Sequence, residues 1–434
     1  LQCHKSANVR QARTLLAWWR MGTTSISCAV TTHREGIPYN SDVALANNLK
    51  MTSIERHERR YQRRKQKREE RREERLSKIK SVDEIFAFNK MFKYGEQCCR
   101  GVMWKHSAQM FKLHLFSRTA SNIKRAKNDY KPKPLSKFTI SERGKTRQIE
   151  APHIDDRQIQ KALVHEVLLP VYLPHMIYNN GASLKGKGLH FSQAQLDKML
   201  HRHINRYGMN GWIITADMKG FFPNADRNVV KENHKMIKNE QVRNILDTIT
   251  DIGSGDRGLP LGVEPSQVEM IALPSPLDNF MCCQMGLKGF GHYMDDYHII
   301  VPPDRDPKEI LEVFIEKAAS IGITVSRDKT RIIPFGKPFK FCKMKRIFDK
   351  DRIIHRGCRD SVKRLRTKIK KFSKTEMNME DIATSIGSSL SYFGITDDHY
   401  TVLKLKRLFY KEFGFTCEEL QRRNKDGVYL PQAV

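Results

Sequence analysis

Up to Lys50 apolar residues are thinly spread among Ser, Thr and Asn, with one short patch from Leu15 to Met21 beside Arg13 and Arg20. No helical or strand period is sustained, so residues 1–50 read as a poorly structured N-terminal extension; a small cap built on Leu16, Trp18 and Trp19 is the alternative. Between Glu55 and Arg75 nearly every residue is Arg, Lys, Glu or Gln, with opposite charges three or four positions apart. That spacing predicts an exposed helix within a charged arm, residues 51–80. Helical spacing of apolar residues returns at Val82, Ile85, Phe86, Phe88, Met91 and Phe92, and again at Met110, Phe111, Leu113, Leu115 and Phe116. Both runs predict packed helices, in a helical region over 81–129. Tyr130 to Pro134 breaks helix, and Phe138-Thr139-Ile140 and Thr146 to Ile149 flank a turn at Arg143-Gly144, the pattern of a hairpin. A helix is predicted from Asp156 to Leu169 with Ile159, Leu163 and Val164 inward. Trp212 to Ala216 is an apolar strand that ends in Asp217, and Tyr297 to Val301 is a second, preceded by Asp295 and Asp296.

Charge narrows the partners. The 434 residues carry 78 Lys+Arg against 48 Asp+Glu, a formal net charge of +30. Such an excess favours a polyanion, and counterion release makes nucleic acid a better match than a membrane surface. No apolar stretch approaches the roughly 18 residues of a membrane span, so no membrane partner is expected. In this light the charged arm is either a solvated spacer or an arm laid along RNA. The nine cysteines include no Cys-x-x-Cys pair. Neither a zinc site nor a disulfide framework is indicated, and Cys98-Cys99 and Cys282-Cys283 read as small apolar fillers.

The candidate chemistry lies in the carboxylates. Successive residues of a strand point to opposite faces, so Asp295 and Asp296 share a site only across a sharp turn, and one of them ligates directly. Taken alone an Asp-Asp pair is common in solvated turns. Joined by Asp217 at a second strand end, it can hold two Mg²⁺ ions about 3.5–4 Å apart and stabilise the attacking and leaving oxygens of phosphoryl transfer.

Tyr293-Met294-Asp295-Asp296 resembles the Tyr-x-Asp-Asp box of reverse transcriptases, and Asp217 with Phe222 resembles the catalytic strand that precedes it. Lys145 to Ile149 is similar to the first fingers motif, Asn180 to Gly188 to the second, and Gly258 to Gln267 to the block between the two carboxylate strands. Ile321 to Thr330 resembles the block after the active site, and Phe339-Lys340-Phe341-Cys342-Lys343 stands where the family often has Phe-Leu-Gly in its primer grip. These blocks follow the family's order.

The resemblance implies an α+β right-hand polymerase. Fingers and palm span 130–347, a basic helical thumb spans 348–425 and a tail spans 426–434. It implies that Asp217 and Asp295 bind the metals with Asp296 in support, and that Lys329 acts as a general acid toward pyrophosphate. Two Mg²⁺ ions are the expected cofactors, with Mn²⁺ as a substitute. Lys145 and Arg147 would clasp an incoming deoxynucleoside triphosphate, Phe222 would sit beneath its sugar and Gln267 beside it. A bulky ring at Phe222 clashes with a 2′-hydroxyl, which argues against copying RNA into RNA. Nucleic acid would be met by Arg157, Lys185, Lys187, Gly188, Gly262, Tyr293 and Lys343, and by Lys363, Arg364, Lys368 and Lys370 of the thumb.

Leu261-Gly262 followed by Ser266-Gln267 resembles the variant found in diversity-generating retroelements and related phage enzymes. A cytoplasmic bacterial or phage-encoded enzyme is therefore expected, in a retroelement or antiviral defence system. Its partners would be an RNA template, a DNA or RNA primer and deoxynucleotides, with a structured non-coding RNA and an accessory protein as further candidates. Too few residues follow Phe415 for a nuclease or integrase domain. The competing expectation is a non-catalytic RNA-binding scaffold with a polymerase fold.

Overall fold

The charged run is helical over Ser53–Ser77 (α1), yet it is not wholly solvated. Arg68 donates to Asn279 Oδ1, and His57 lies where a side chain at Gly286 would be, 3.1 Å from the position of its Cβ. The computed structural model describes residues 52–77, 81–142, 145–253, 255, 257–350, 352–375 and 379–419. The expected extension 1–50, the turn residues Arg143 and Gly144 and the tail 426–434 lie outside the described residues.

Four helices follow: α2 (Val82–Ile85), α3 (Phe88–Cys99), α4 (His106–Leu113) and α5 (Leu115–Lys127). Phe111 and Leu115 are buried, but Leu113 and Phe116, expected to pack, are 72% and 70% exposed. The reason is His114, which ends α4 and starts α5 with a non-helical ψ of 24°, so one continuous period does not describe both helices.

The expected hairpin is present as β1 (Ser136–Glu142) and β2 (Lys145–Ala151), antiparallel, with Phe138 and Ile140 exposed. Helix α6 (Ile154–Leu163) starts two residues earlier than the pattern predicts, with Asp155 and Asp156 in its first turn. There they accept from Arg118 at 3.0 Å and Arg125 at 2.7 Å, and carboxylates at this end also suit the helix dipole. It runs through a π turn (Val164–Leu168) into α7 (Leu169–Tyr172).

Helix α8 (Leu189–Tyr207) leads to β3 (Trp212–Asp217). Helices α9 (Arg227–His234), α10 (Glu240–Asp251), α11 (Glu264–Ala272) and α12 (Ser275–Asn279) precede the hairpin β4 (Gly289–Tyr293) and β5 (Asp296–Val301). After α13 (Pro307–Ala319), β6 (Arg331–Pro334) completes an antiparallel sheet of order β4-β5-β3-β6. Both faces of that sheet are covered, which is why Ile213 and Ile214 are both buried. Ile214 packs with Phe290, Tyr297 and Phe314 of α13, and Ile213 with Leu196 and Leu200 of α8.

A second antiparallel sheet, β7 (Phe339–Phe341), β8 (Met344–Asp349) and β9 (Arg352–Gly357), connects to three helices. These are α14 (Arg359–Phe372), α15 (Met379–Phe393) and α16 (His399–Phe413), joined over a core that includes Leu365, Ile369, Ile386, Leu405 and Phe409. Among the described residues no helix is long and apolar enough to cross a membrane.

Candidate active site

Strand β3 places Asp217 directly opposite Asp296 of β5. Hairpin β4-β5 pairs Tyr293 with Asp296, leaving Met294-Asp295 as a two-residue turn, and Met294 has φ 54°. A left-handed residue in a tight turn matches the twist of the flanking strands but costs a non-glycine residue energy, and such positions gather at functional sites. The turn is tied to the end of β3 by the Met218 N–H, which donates to the Asp295 carbonyl at 3.2 Å. Sharp turn and strand register together bring the three carboxylates to one edge of the sheet.

Their electrostatics reflect that crowding. Burial above all, then the charges of Asp295 and Asp217, push the Asp296 carboxyl up to about 6. Asp295 is raised by burial, with Asp217 adding to the effect and Lys329 and Arg147 opposing it. Lys329 pairs with Asp217, and the loop that carries it hangs on the same strand through the Ser326 N–H, which donates to the Asp217 carbonyl at 2.8 Å. Three hard-oxygen donors gathered together, with the proton affinity of Asp295 and Asp296 raised, suit a divalent cation such as Mg²⁺, which would relieve their repulsion. Among the described residues no three His, Cys, Asp or Glu side chains already stand arranged around one metal position, and Asp217 is paired with Lys329.

Cys342, which stands in the primer-grip block but is not among the expected site residues, also acts on this set. Cys342 and Lys343 have φ 44° and 67°, forming the left-handed two-residue turn of the β7-β8 hairpin without glycine. The Cys342 thiol acts on Asp296, working against the rise of its carboxyl. Only its place in the primer-grip block could have signalled it. The Lys343 carbonyl accepts from Tyr392 Oη at 2.5 Å and Cys358 Sγ at 2.7 Å, so the turn is anchored to the thumb.

The other expected residues divide. Arg147 stands exposed on β2, its charge felt by Asp295, while the side chain of Lys145 lies outside the described residues. Phe222 is half-buried and meets buried Phe221 edge-on at 5.9 Å. Gln267 donates to Ser183 Oγ at 2.6 Å, which places it on the glycine-rich loop. Gly262, φ 117°, packs on β2, where a Cβ would come within 3.1 Å of the Glu150 carbonyl. Lys185 is exposed, but Lys187 turns inward and donates to the Tyr178 and Asn180 carbonyls at 2.8 and 2.9 Å. Gly188 is the residue before the first turn of α8, with open space beside it. Arg157 is exposed on α6, where its charge acts on Cys98 and Cys99. Tyr293 is half-buried between two apolar clusters. In the thumb Lys363, Arg364 and Lys370 are exposed, whereas Lys368 donates to Ser385 Oγ at 2.7 Å.

A search of the curated proteins finds no match. Among solved structures the chain is similar to a telomerase from Candida albicans, in complex with a TWJ fragment of telomeric RNA, at 13% identity and a TM-score of 0.40, over 71% of this chain and 67% of that one. Residues 130–347 match the family model described as reverse transcriptase (RNA-dependent DNA polymerase). That match takes in half of the chain and both carboxylate strands, and the chain, an α+β right-hand polymerase, belongs to the reverse transcriptase family.

Proposed function

We propose that the protein is an active RNA-directed DNA polymerase that adds deoxynucleotides to a primer 3′-hydroxyl on an RNA template. The observation that carries this reading is the meeting of Asp217, Asp295 and Asp296 at one sheet edge, with Asp217 and Asp296 in register. Asp217 and Asp295, supported by Asp296, would hold Mg²⁺, or Mn²⁺ in its place, which supplies the positive charge that this chemistry needs at the attacking and leaving oxygens.

The chain's own residues do the rest. Arg147 and Lys145 orient the triphosphate, and Phe222 closes the space below its sugar. Lys329, freed from Asp217, gives a proton to the departing pyrophosphate. Lys363, Arg364 and Lys370 meet the backbone of the product duplex, as does Lys185 that of the template. The Leu261-Gly262 and Ser266-Gln267 pattern supports a bacterial or phage enzyme of a retroelement or defence system, working in the cytoplasm.

The test is primer extension on an RNA template in Mg²⁺, offering deoxynucleotides or ribonucleotides, with wild type beside Asp295→Ala and Asp217→Ala. Deoxynucleotide extension lost in both variants, with RNA binding nearly intact, is the expected result. Wild-type extension in either variant would overturn the site. Tight RNA binding with no extension by wild type under any primer would favour the non-catalytic scaffold.

A further inference from the structure

We propose that the outward face of α16 is a docking surface for an unpaired nucleic-acid strand, which, resting on the function proposed above, is a single-stranded part of the RNA template. One side of α16 is spent on the thumb core through Leu405 and Phe409. The other side carries Tyr400, Leu403, Lys404, Arg407, Tyr410 and Lys411, all exposed. Their spacing of three and four residues keeps them on one stripe, roughly 16 Å long at the rise of an α-helix.

The composition of this stripe sets it apart from a merely solvated face. Tyr400 is 68% and Tyr410 56% exposed, although large aromatic side chains ordinarily find cover. The three cations lie between and beside them, and among the described residues no carboxylate pairs with Lys404, Arg407 or Lys411. The acid of this helix, Glu412, accepts from Ser373 Oγ at 2.9 Å, and Lys406, off the stripe, is paired with Glu418. Lys404 Nζ stands 4.4 Å over the Tyr400 ring, so cation and ring already form one unit.

Rings with unpaired cations between and beside them match what a single strand offers, which is exposed base faces and a phosphate at each step. A duplex hides its base faces and would leave both tyrosines unused. A protein partner would have to be acidic to neutralise the three cations. The unpaired strand therefore uses the most of what this face presents.

The decisive comparison uses two primer–templates on the full chain, one with a template that ends just beyond the primer terminus and one that continues for about 20 unpaired nucleotides. Stacking is worth ~1–3 kcal/mol per base, so Tyr400→Ala with Tyr410→Ala should weaken binding of the long template by roughly tenfold or more. The short template should bind and be extended as by wild type. Lys404→Gln with Arg407→Gln and Lys411→Gln should also weaken the long template and flatten its salt dependence. Crosslinks from 4-thiouridine in the unpaired segment should map to α16, and a DNA of the same sequence tells whether the face distinguishes RNA. Equal affinity of wild type and both variants for the long template overturns the proposal, as does a stripe-dependent dimer in place of strand binding. A chain that extends no primer yet yields the α16 crosslinks would sink the polymerase reading and leave this one standing.

Discussion

His292 Nε2 and Asp278 Oδ2 lie 3.0 Å apart, and neither side chain is exposed to solvent. The other ring nitrogen of His292 is 3.1 Å from the carbonyl of Met294, and the ring is stacked on Tyr297 at 4.5 Å. Asp278, on α12, thus props the left-handed Met294 through the histidine, and Met294 in turn presents Asp295. His292→Ala should remove this support and leave a buried carboxyl group without its partner, a loss of about 1–3 kcal/mol. Asp278→Asn keeps an acceptor for the ring and should cost less. Denaturant midpoints and primer extension on the two variants check this; an unchanged midpoint in His292→Ala would exclude a supporting role.

His234 gives the fold a pH dependence. Its Nδ1 lies 2.6 Å from Asp247 and its Nε2 3.1 Å from Glu269, with the ring buried. Burial works against the charged ring, but the Glu269 and Asp247 carboxylates outweigh it, so its pKa rises above the ordinary 6.5. A raised value means that the folded state holds the proton more tightly than the unfolded chain. The stabilisation is therefore complete below pH 6.5 and is lost as pH climbs through the raised value. Melting temperature should fall as pH rises above 6.5 in wild type and fall less in His234→Gln. Because Glu269 and Gln267 share α11, the same loss should loosen the bond from Gln267 to Ser183.

The palm was legible because its signals are local. An apolar run that ends in an aspartate reads as a strand end, and the Asp-Asp pair demands a turn, whatever lies elsewhere in the chain. The register that sets Asp217 against Asp296 is a long-range pairing that no window of sequence contains. The same holds for Cys342 against Asp296, which are distant in the chain. Lys187 looked free for phosphate because its two carbonyl acceptors come from the loop's own curvature. Leu113 and Phe116 misled because the break at His114 shifts the helical phase without a glycine or proline to announce it.

Lys329 pairs with Asp217, and the proposed function gives it a second, separable task, delivering a proton. Lys329→Gln removes both and should lower the extension rate by roughly a hundredfold or more, within the usual range of general acid catalysis. Lys329→Arg keeps a cation beside Asp217, but guanidinium does not give up its proton near neutral pH. If proton delivery dominates, arginine should rescue nucleotide affinity and leave the rate low. A full return of the rate with arginine would assign Lys329 a purely electrostatic role.

Phe222 is presented by a pinned backbone, since its carbonyl accepts from Leu259 N–H at 3.0 Å and its ring is braced against Phe221. In its proposed place beneath the sugar the ring could not withdraw easily from an added hydroxyl, since overpacking of that kind is resisted by the wall behind it. Phe222→Ala opens the space of several methylenes and should raise ribonucleotide use relative to deoxynucleotide use by roughly 10–200-fold. The measurement is kcat/KM for a ribonucleotide and its deoxy counterpart on one template. Deoxynucleotide incorporation should change little, because that sugar never needed the space. An unchanged ratio would mean that the sugar is sensed elsewhere and that Phe222 serves only the packing around Phe221.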